Sequence, residues 1–155
     1  MPQKITPFLW FDYNAKEAAE FYVSVFKDAK IKSSSIIRSS PSGDVEYVII
    51  ELFGQEYALL GAGPLFKFNE AISFLVNCKT QEEVDYYWEK LSADSKAERC
   101  GWLKDKYGVS WQIVPRVLTE LISKDKSGRV TQAMLTMKKI DIKKLEQAYN
   151  EAIQK

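Results

Sequence analysis

The first 115 residues of the chain carry one pattern twice. Ile5-Thr6-Pro7-Phe8-Leu9-Trp10-Phe11 leads into Ala15-Lys16-Glu17-Ala18-Ala19-Glu20-Phe21-Tyr22. Ala71-Ile72-Ser73-Phe74-Leu75-Val76-Asn77 leads in the same way into Gln81-Glu82-Glu83-Val84-Asp85-Tyr86-Tyr87-Trp88. Sliding one onto the other pairs Phe8 with Phe74, Leu9 with Leu75 and Glu17 with Glu83, and each copy closes on a glycine-centred hairpin, at Gly54 and at Gly108. A self-match of this length constrains architecture, because each copy must be one supersecondary unit of the same kind.

The local signals spell out that unit. Residues 5–11 read as a buried apolar strand, and Asn14 stands where a helix N-cap belongs, with Glu17 three residues on as in a capping box. Ala18, Phe21, Tyr22, Val25 and Phe26 recur at helical spacing. A strand from Ile31, a polar loop at Ser39 to Asp44, and a hairpin about Gly54 complete the copy. In the second copy Thr80 and Glu83 form the capping box, Val84, Tyr87, Trp88 and Leu91 the buried stripe, and Pro115 ends the last strand. The order predicted is β-α-β-β-β over 1–63 and again over 64–115, forming a cupped mixed sheet within one domain of the α+β class. Residues 116–155 form a helical appendage, with helices near 117–122, 129–137 and 142–153, the last capped by Asp141.

Charge narrows the partners. The 22 Lys and Arg nearly balance 21 Asp and Glu, which argues against nucleic acid or an anionic membrane surface. The lysines at 138–139 and 143–144 read as a solvated face. No apolar run approaches the ~20 residues a membrane span needs, and no secretory signal is evident, so a cytoplasmic location is expected. Cys78 and Cys100 are then reduced and inert thiols. The chain has no histidine, which removes His-based catalysis and every His-ligated metal site.

Strand periodicity selects candidate site residues. Val109, Trp111 and Ile113 share an apolar face that packs on helices, leaving Ser110, Gln112 and Val114 on the concave face. A two-residue turn at Tyr107-Gly108 places Leu103 opposite Gln112 and Asp105 opposite Ser110. By the repeat, Ile49 and Glu51 lie across from Ala58 and Leu60. Pro7, Leu9 and Phe11 in one first strand, and Ser73, Leu75 and Asn77 in the other, face the same way. Leu9, Phe11, Ile49, Glu51, Phe68, Ser73, Asn77, Leu103, Asp105 and Gln112 are the ligand-binding candidates, apolar walls with a few polar groups.

Two β-α-β-β-β copies resemble the vicinal-oxygen-chelate superfamily of glyoxalases, bleomycin-resistance proteins and extradiol dioxygenases. Ile5 to Phe11 with Glu17 to Tyr22, Phe66 to Phe74, and Cys100 to Asp105 with Trp111 to Pro115 are similar to its PhnB-like branch. That branch carries the label 3-demethylubiquinone-9 3-methyltransferase. Ala133 to Ile142 is similar to it as well. In metal-using members the resemblance implies ligands on the first and last strands, which fall here at Ile5 or Pro7, Ala58, Ala71 and Gln112. Three of the four have no side-chain donor, so no metal ligand and no cofactor are assigned. Gly61-Ala62-Gly63-Pro64 lacks the helix that a nucleotide-cradling glycine turn would open, so it reads as a turn and not as an S-adenosylmethionine site. The expectation is a metal-free, homodimeric, small-molecule-binding protein with no assigned catalytic residue. The alternatives are a divalent-metal-dependent lyase or isomerase and the methyl transfer of the family label.

Overall fold

Four apolar residues in a row, Phe8–Phe11, form strand β1, and the turn after them feeds helix α1, Ala15–Val25. Strands β2 (Ala29–Ser40), β3 (Gly43–Leu52) and β4 (Gln55–Gly61) follow in a sheet of order β1-β4-β3-β2. β1 runs parallel to β4, and the other neighbours are antiparallel. The computed structural model describes residues 3–154, and the chain divides into two units, one reaching to Lys67 and the other beginning at Phe68.

In the first unit α1 turns Ala15, Ala18, Ala19, Tyr22 and Val25 inward, all buried. Small residues on that stripe let the helix sit close to the sheet. A Cβ at Gly61 would lie 3.1 Å from the Ala15 Cβ, so glycine is what the approach of β4 to the helix start requires. The opposing sheet face presents Leu9, Phe11, Val48, Ile50, Leu52 and Leu59, each nearly or fully buried. Burying each large side chain stabilises by about 1.5–3 kcal/mol. Asn14 is the N-cap, but its side chain makes no capping bond. The Glu46 carboxylate, brought over from β3, accepts from the Lys16 amide at 2.8 Å in its place.

The second unit repeats the plan with one strand fewer. Strand β5 (Ser73–Cys78) and helix α2 (Gln81–Leu91) are followed by a 3₁₀ turn at Ser95–Ala97, then β6 (Trp102–Lys104) and β7 (Ser110–Pro115). The sheet order is β5-β7-β6, with β5 parallel to β7, so the counterpart of β2 is missing among the described residues. The α+β class stands as expected, with this difference in the second copy. Thr80 caps α2 by accepting from the Glu83 amide at 3.2 Å, while the Glu83 carboxylate accepts from the Lys79 amide at 2.7 Å, one residue before the cap. Val84, Tyr87 and Leu91 pack toward the face that holds Trp111, Ile113 and Leu103.

Helices α3 (Arg116–Lys124), α4 (Arg129–Leu135) and α5 (Ile142–Ile153) belong to this unit. Leu118, Leu121, Val130, Ile140 and Leu145 make a core of their own, onto which Val114 of β7 also packs. Two backbone bonds dock the 137–138 segment on the turn before β6, from Cys100 N to Met137 O and from Gly101 N to Lys138 O, both 2.8 Å. Gln81 clamps the next residues, donating to Ile140 O at 3.0 Å and accepting from Ile142 N at 2.8 Å. Among the described residues no helix is long and apolar enough to cross a membrane.

The core of this unit makes stability fall in alkali. Burial, helped by Glu83, pushes the Cys78 thiol up to about 12, and burial with Glu83, Cys78 and Tyr86 pushes Tyr87 up to about 12. Their ordinary values are 9.0 and 10.0, so both keep their protons in the folded chain where the unfolded chain has lost them. The stabilisation is whole below about pH 9 and is lost as pH rises from there toward about 12. Thermal melts between pH 7 and 12 are expected to show this decline, with Cys78→Ser flattening its onset near 9. The same pH dependence in both proteins would mean that the thiol ionises normally.

Candidate functional site

The β6-β7 hairpin sets which side chains face outward. Its loop is Lys106-Tyr107-Gly108, one residue longer than expected, with Gly108 at φ 87°. Asp105 N donates to Val109 O at 3.0 Å, and the strand pairs are Lys104 with Ser110, Leu103 with Trp111 and Trp102 with Gln112. Adding one residue moves every β6 side chain to the opposite face. Leu103, expected opposite Gln112, instead pairs with Trp111 at 1 % exposure and Trp102 takes its place opposite Gln112, although Leu103 still contributes to the lining of the cavity described below.

Asp105 is also not a free pocket carboxylate. It is buried, and its two oxygens accept from Tyr107 N at 2.9 Å, Val109 N at 3.1 Å and Trp111 Nε1 at 2.9 Å. Three donors on one carboxylate make it the anchor of the turn.

The expected face of β7 is the one observed. Ser110, Gln112 and Val114 pair with Ser73, Leu75 and Asn77 of β5, so these six look the same way. The Gln112 amide donates to Ser73 Oγ at 2.9 Å, joining two of the candidates directly. Asn77 lies farther along the same face and is exposed, and Phe68 is half-buried just before β5.

Over this face lies a cavity of about 600 Å³, formed entirely within the second unit. Leu75, Trp102, Gln112 and Val114 supply sheet-side walls; Leu118, Met134 and Leu135 of α3 and α4 supply the others. Lys104 and Glu70, also on the lining, form an ion pair, which holds the Glu70 carboxyl below its ordinary value. The turn from Arg99 to Trp102 closes one side, held by Trp102 N to Arg99 O at 2.8 Å and Arg99 N to Trp102 O at 3.0 Å. Ser110 lines the cavity as well. It is 1 % exposed, and its hydroxyl meets no hydrogen-bond partner. A buried hydroxyl left unpaired costs about 1–3 kcal/mol, so a partner from the cavity would recover stability.

Sequence reasoning put Ser110 on this face without selecting it. Its signal was the alternation itself, a serine between buried Val109 and Trp111. The contribution of α3 and α4 had no such signal, because their apolar residues also suit a simple helical core.

The candidates in the first unit sit differently. Ile49 pairs with Ala58 as expected, but Glu51 pairs with Glu56, and Leu60, expected in this group, pairs with Tyr47 instead. Lys32 binds Glu56 at 2.5 Å and Glu51 at 3.5 Å, and Lys30 stands 3.8 Å from Glu51. These carboxylates raise the Lys32 pKa, through the Glu56 hydrogen bond above all. Leu9 and Phe11 correct the expectation. They pair with Leu59 and Gly61 on the helix side, at 7 % and 2 % exposure, and Phe8 and Trp10 take the open face. In a run of four apolar residues alternation is silent, so the face was set only by helix packing.

No divalent metal fits the positions that the superfamily resemblance singles out. Pro7, Ala58 and Ala71 offer no side-chain donor, and Ile5 offers none either. The Gln112 amide is a neutral ligand already bonded to Ser73. Among the described residues no three His, Cys, Asp or Glu side chains gather as a metal site would require. The glycines before Pro64 serve packing, since a Cβ at Gly63 would meet the Tyr13 ring at 3.1 Å.

A β-α unit with an open sheet face, made twice in one chain, defines the vicinal-oxygen-chelate class. The family model described as 3-demethylubiquinone-9 3-methyltransferase matches residues 3–114, and the chain belongs to that family. The PhnB protein from Bacillus cereus, which carries the same methyltransferase label, is 34 % identical with a TM-score of 0.61, over 73 % of this chain and 99 % of that one. Protein PA1353 from Pseudomonas aeruginosa has a TM-score of 0.54 at 18 % identity, over 74 % of this chain and 98 % of its own. A gene product of Arabidopsis thaliana has a TM-score of 0.50 at 19 % identity, over 74 % and 99 %. The last two share the fold. A search of curated proteins returns no match.

The anchoring role of Asp105 has a direct test. Asp105→Ala leaves three donors short of an acceptor and is expected to destabilise the chain by about 2–4 kcal/mol in urea unfolding. Asp105→Asn keeps the shape yet turns an N–H toward Trp111 Nε1, so it should also lose stability. Wild-type stability in both variants would return Asp105 to the ligand-binding candidates.

Proposed function

We propose that this chain binds a small organic molecule in the cavity of its second unit and does so without holding a metal ion. The observation that carries the reading is the buried, unpaired Ser110 hydroxyl on the lining of an otherwise largely apolar cavity. The volume of about 600 Å³ lies within the range of organic-ligand sites. Ser110 and Gln112 fix orientation by hydrogen bonding, and Trp102, Leu75 and Val114 take the apolar body. Of the ten candidates, Gln112 and Leu103 are on the cavity lining; Ser73 holds the Gln112 amide, and Asn77 lies farther along the same face.

The family label favours a second reading, methyl transfer to a quinone precursor. It lacks a recognisable cradle for S-adenosylmethionine here, since Gly61 and Gly63 make close packing contacts instead. A cytoplasmic location and a homodimer complete our proposal. Exposed Phe8, Leu65 and Phe66 of the first unit are apolar side chains that a second copy would cover. A sedimentation run that returns only the monomer mass at micromolar concentration would remove the dimer.

Native mass spectrometry of the purified chain is expected to show a copurifying organic adduct. Gln112→Leu should abolish that adduct with the fold intact, and Ser110→Ala should weaken binding of the identified compound by about 5- to 10-fold, the worth of one hydrogen bond. Stoichiometric metal, lost together with an activity in chelator, would overturn the metal-free reading in favour of a lyase or isomerase. Saturable S-adenosylmethionine binding by calorimetry would establish the methyltransferase reading instead.

A further inference from the structure

The charges around the cavity are unequal, and the inequality selects a ligand class. Glu70, Arg99 and Lys104 are the ionic residues on its lining. Lys104 is taken by Glu70 in an ion pair. Arg99 forms no ion pair among the described residues, so the cavity keeps one uncompensated cation.

The backbone of Arg99 is also held in place. It makes two hydrogen bonds with Trp102, and the two intervening residues are docked on Met137 and Lys138. The guanidinium belongs to an exposed residue and extends from this fixed backbone turn, next to Trp102 and with the unpaired Ser110 hydroxyl on the same lining. Guanidinium favours oxyanions, carboxylate or sulfonate, that present two oxygens to two of its parallel N–H groups. An apolar wall next to such a group favours a molecule with an oxyanion at one end and a hydrocarbon or aromatic body.

We infer that the cavity takes an anionic amphiphile, with its carboxylate or sulfonate at Arg99, its body along Trp102, Val114, Leu118 and Met134, and a hydrogen-bond acceptor at Ser110. This rests on the proposal that the cavity is the binding site, and adds to it the chemical class of the ligand.

Two fluorescent probes with one aromatic skeleton separate these claims: 8-anilinonaphthalene-1-sulfonate, which is anionic, and N-phenyl-1-naphthylamine, which is neutral. The full chain is expected to bind the sulfonate about 10-fold more tightly than the amine, as a paired charge-assisted bond allows. Arg99→Gln should remove that advantage and its salt dependence, leaving the amine within about 2-fold. Leu75→Trp, at an exposed lining position, should block both probes, with circular dichroism confirming the fold. Equal binding of the two probes, unchanged in Arg99→Gln but blocked in Leu75→Trp, would overturn the anionic class and keep the cavity as the site. Probe binding unaffected by Leu75→Trp, or no binding of either probe, would overturn the cavity reading itself.

Discussion

The register of one short hairpin decides what the second sheet offers to a ligand. Asp105 spends both carboxylate oxygens on the turn and on the Trp111 indole, which fixes a three-residue loop and the pairing of Trp102 with Gln112. A two-residue loop would have turned Leu103 outward and Trp102 into the helix face. β6 is three residues long, too short to set its own register by side-chain pattern. One buried carboxylate therefore determines whether the cavity has an indole wall. It also explains why a residue that looks like a ligand contact in sequence serves the frame instead.

The two copies differ in what completes them. In the first, β2 is a long, mostly exposed edge strand beside β3. In the second no such strand is present among the described residues, and a 3₁₀ turn and the Arg99–Trp102 bridge occupy that stretch of chain. The space over the second sheet is enclosed from another source, the helices after Pro115. Those helices first bury one another through Leu118, Leu121, Val130 and Leu145, and Leu118, Met134 and Leu135 at the edge of that core reach the cavity lining. A self-sufficient helical core can form such a wall with few contacts to the sheet, so the cavity can stay open.

Legibility in the sequence followed the strength of the local signal. Thr80 and Asp141 read correctly as caps because an N-cap side chain acts within three residues. The β7 face read correctly because large apolar and polar residues alternate there without exception from Val109 to Ile113. Leu9 and Phe11 were placed on the wrong face because Phe8–Phe11 has no polar residue to break the tie. Asn14 misled for a different reason. It holds the N-cap position, yet the amide it was expected to serve lies beyond reach of sequence-local logic, since a strand carboxylate, Glu46, caps the first turn. Long-range partners such as Glu46 and Gln81 are invisible to spacing rules.

The distribution of compensated charge separates the two open faces chemically. On the first sheet Glu51 and Glu56 sit side by side, an arrangement that could attract a cation, but Lys30 and Lys32 already occupy it. Neutralised charges of this kind give little net attraction to a further ion. On the second sheet the Lys104–Glu70 pair is likewise closed, and what remains uncompensated is a cation, Arg99, and a buried hydroxyl. A divalent metal needs the reverse, several anionic or imidazole donors left free. The proposed site follows this difference: a cation and a hydroxyl stand open on the lining of the second sheet's cavity, whereas the charges of the first sheet's open face are already paired.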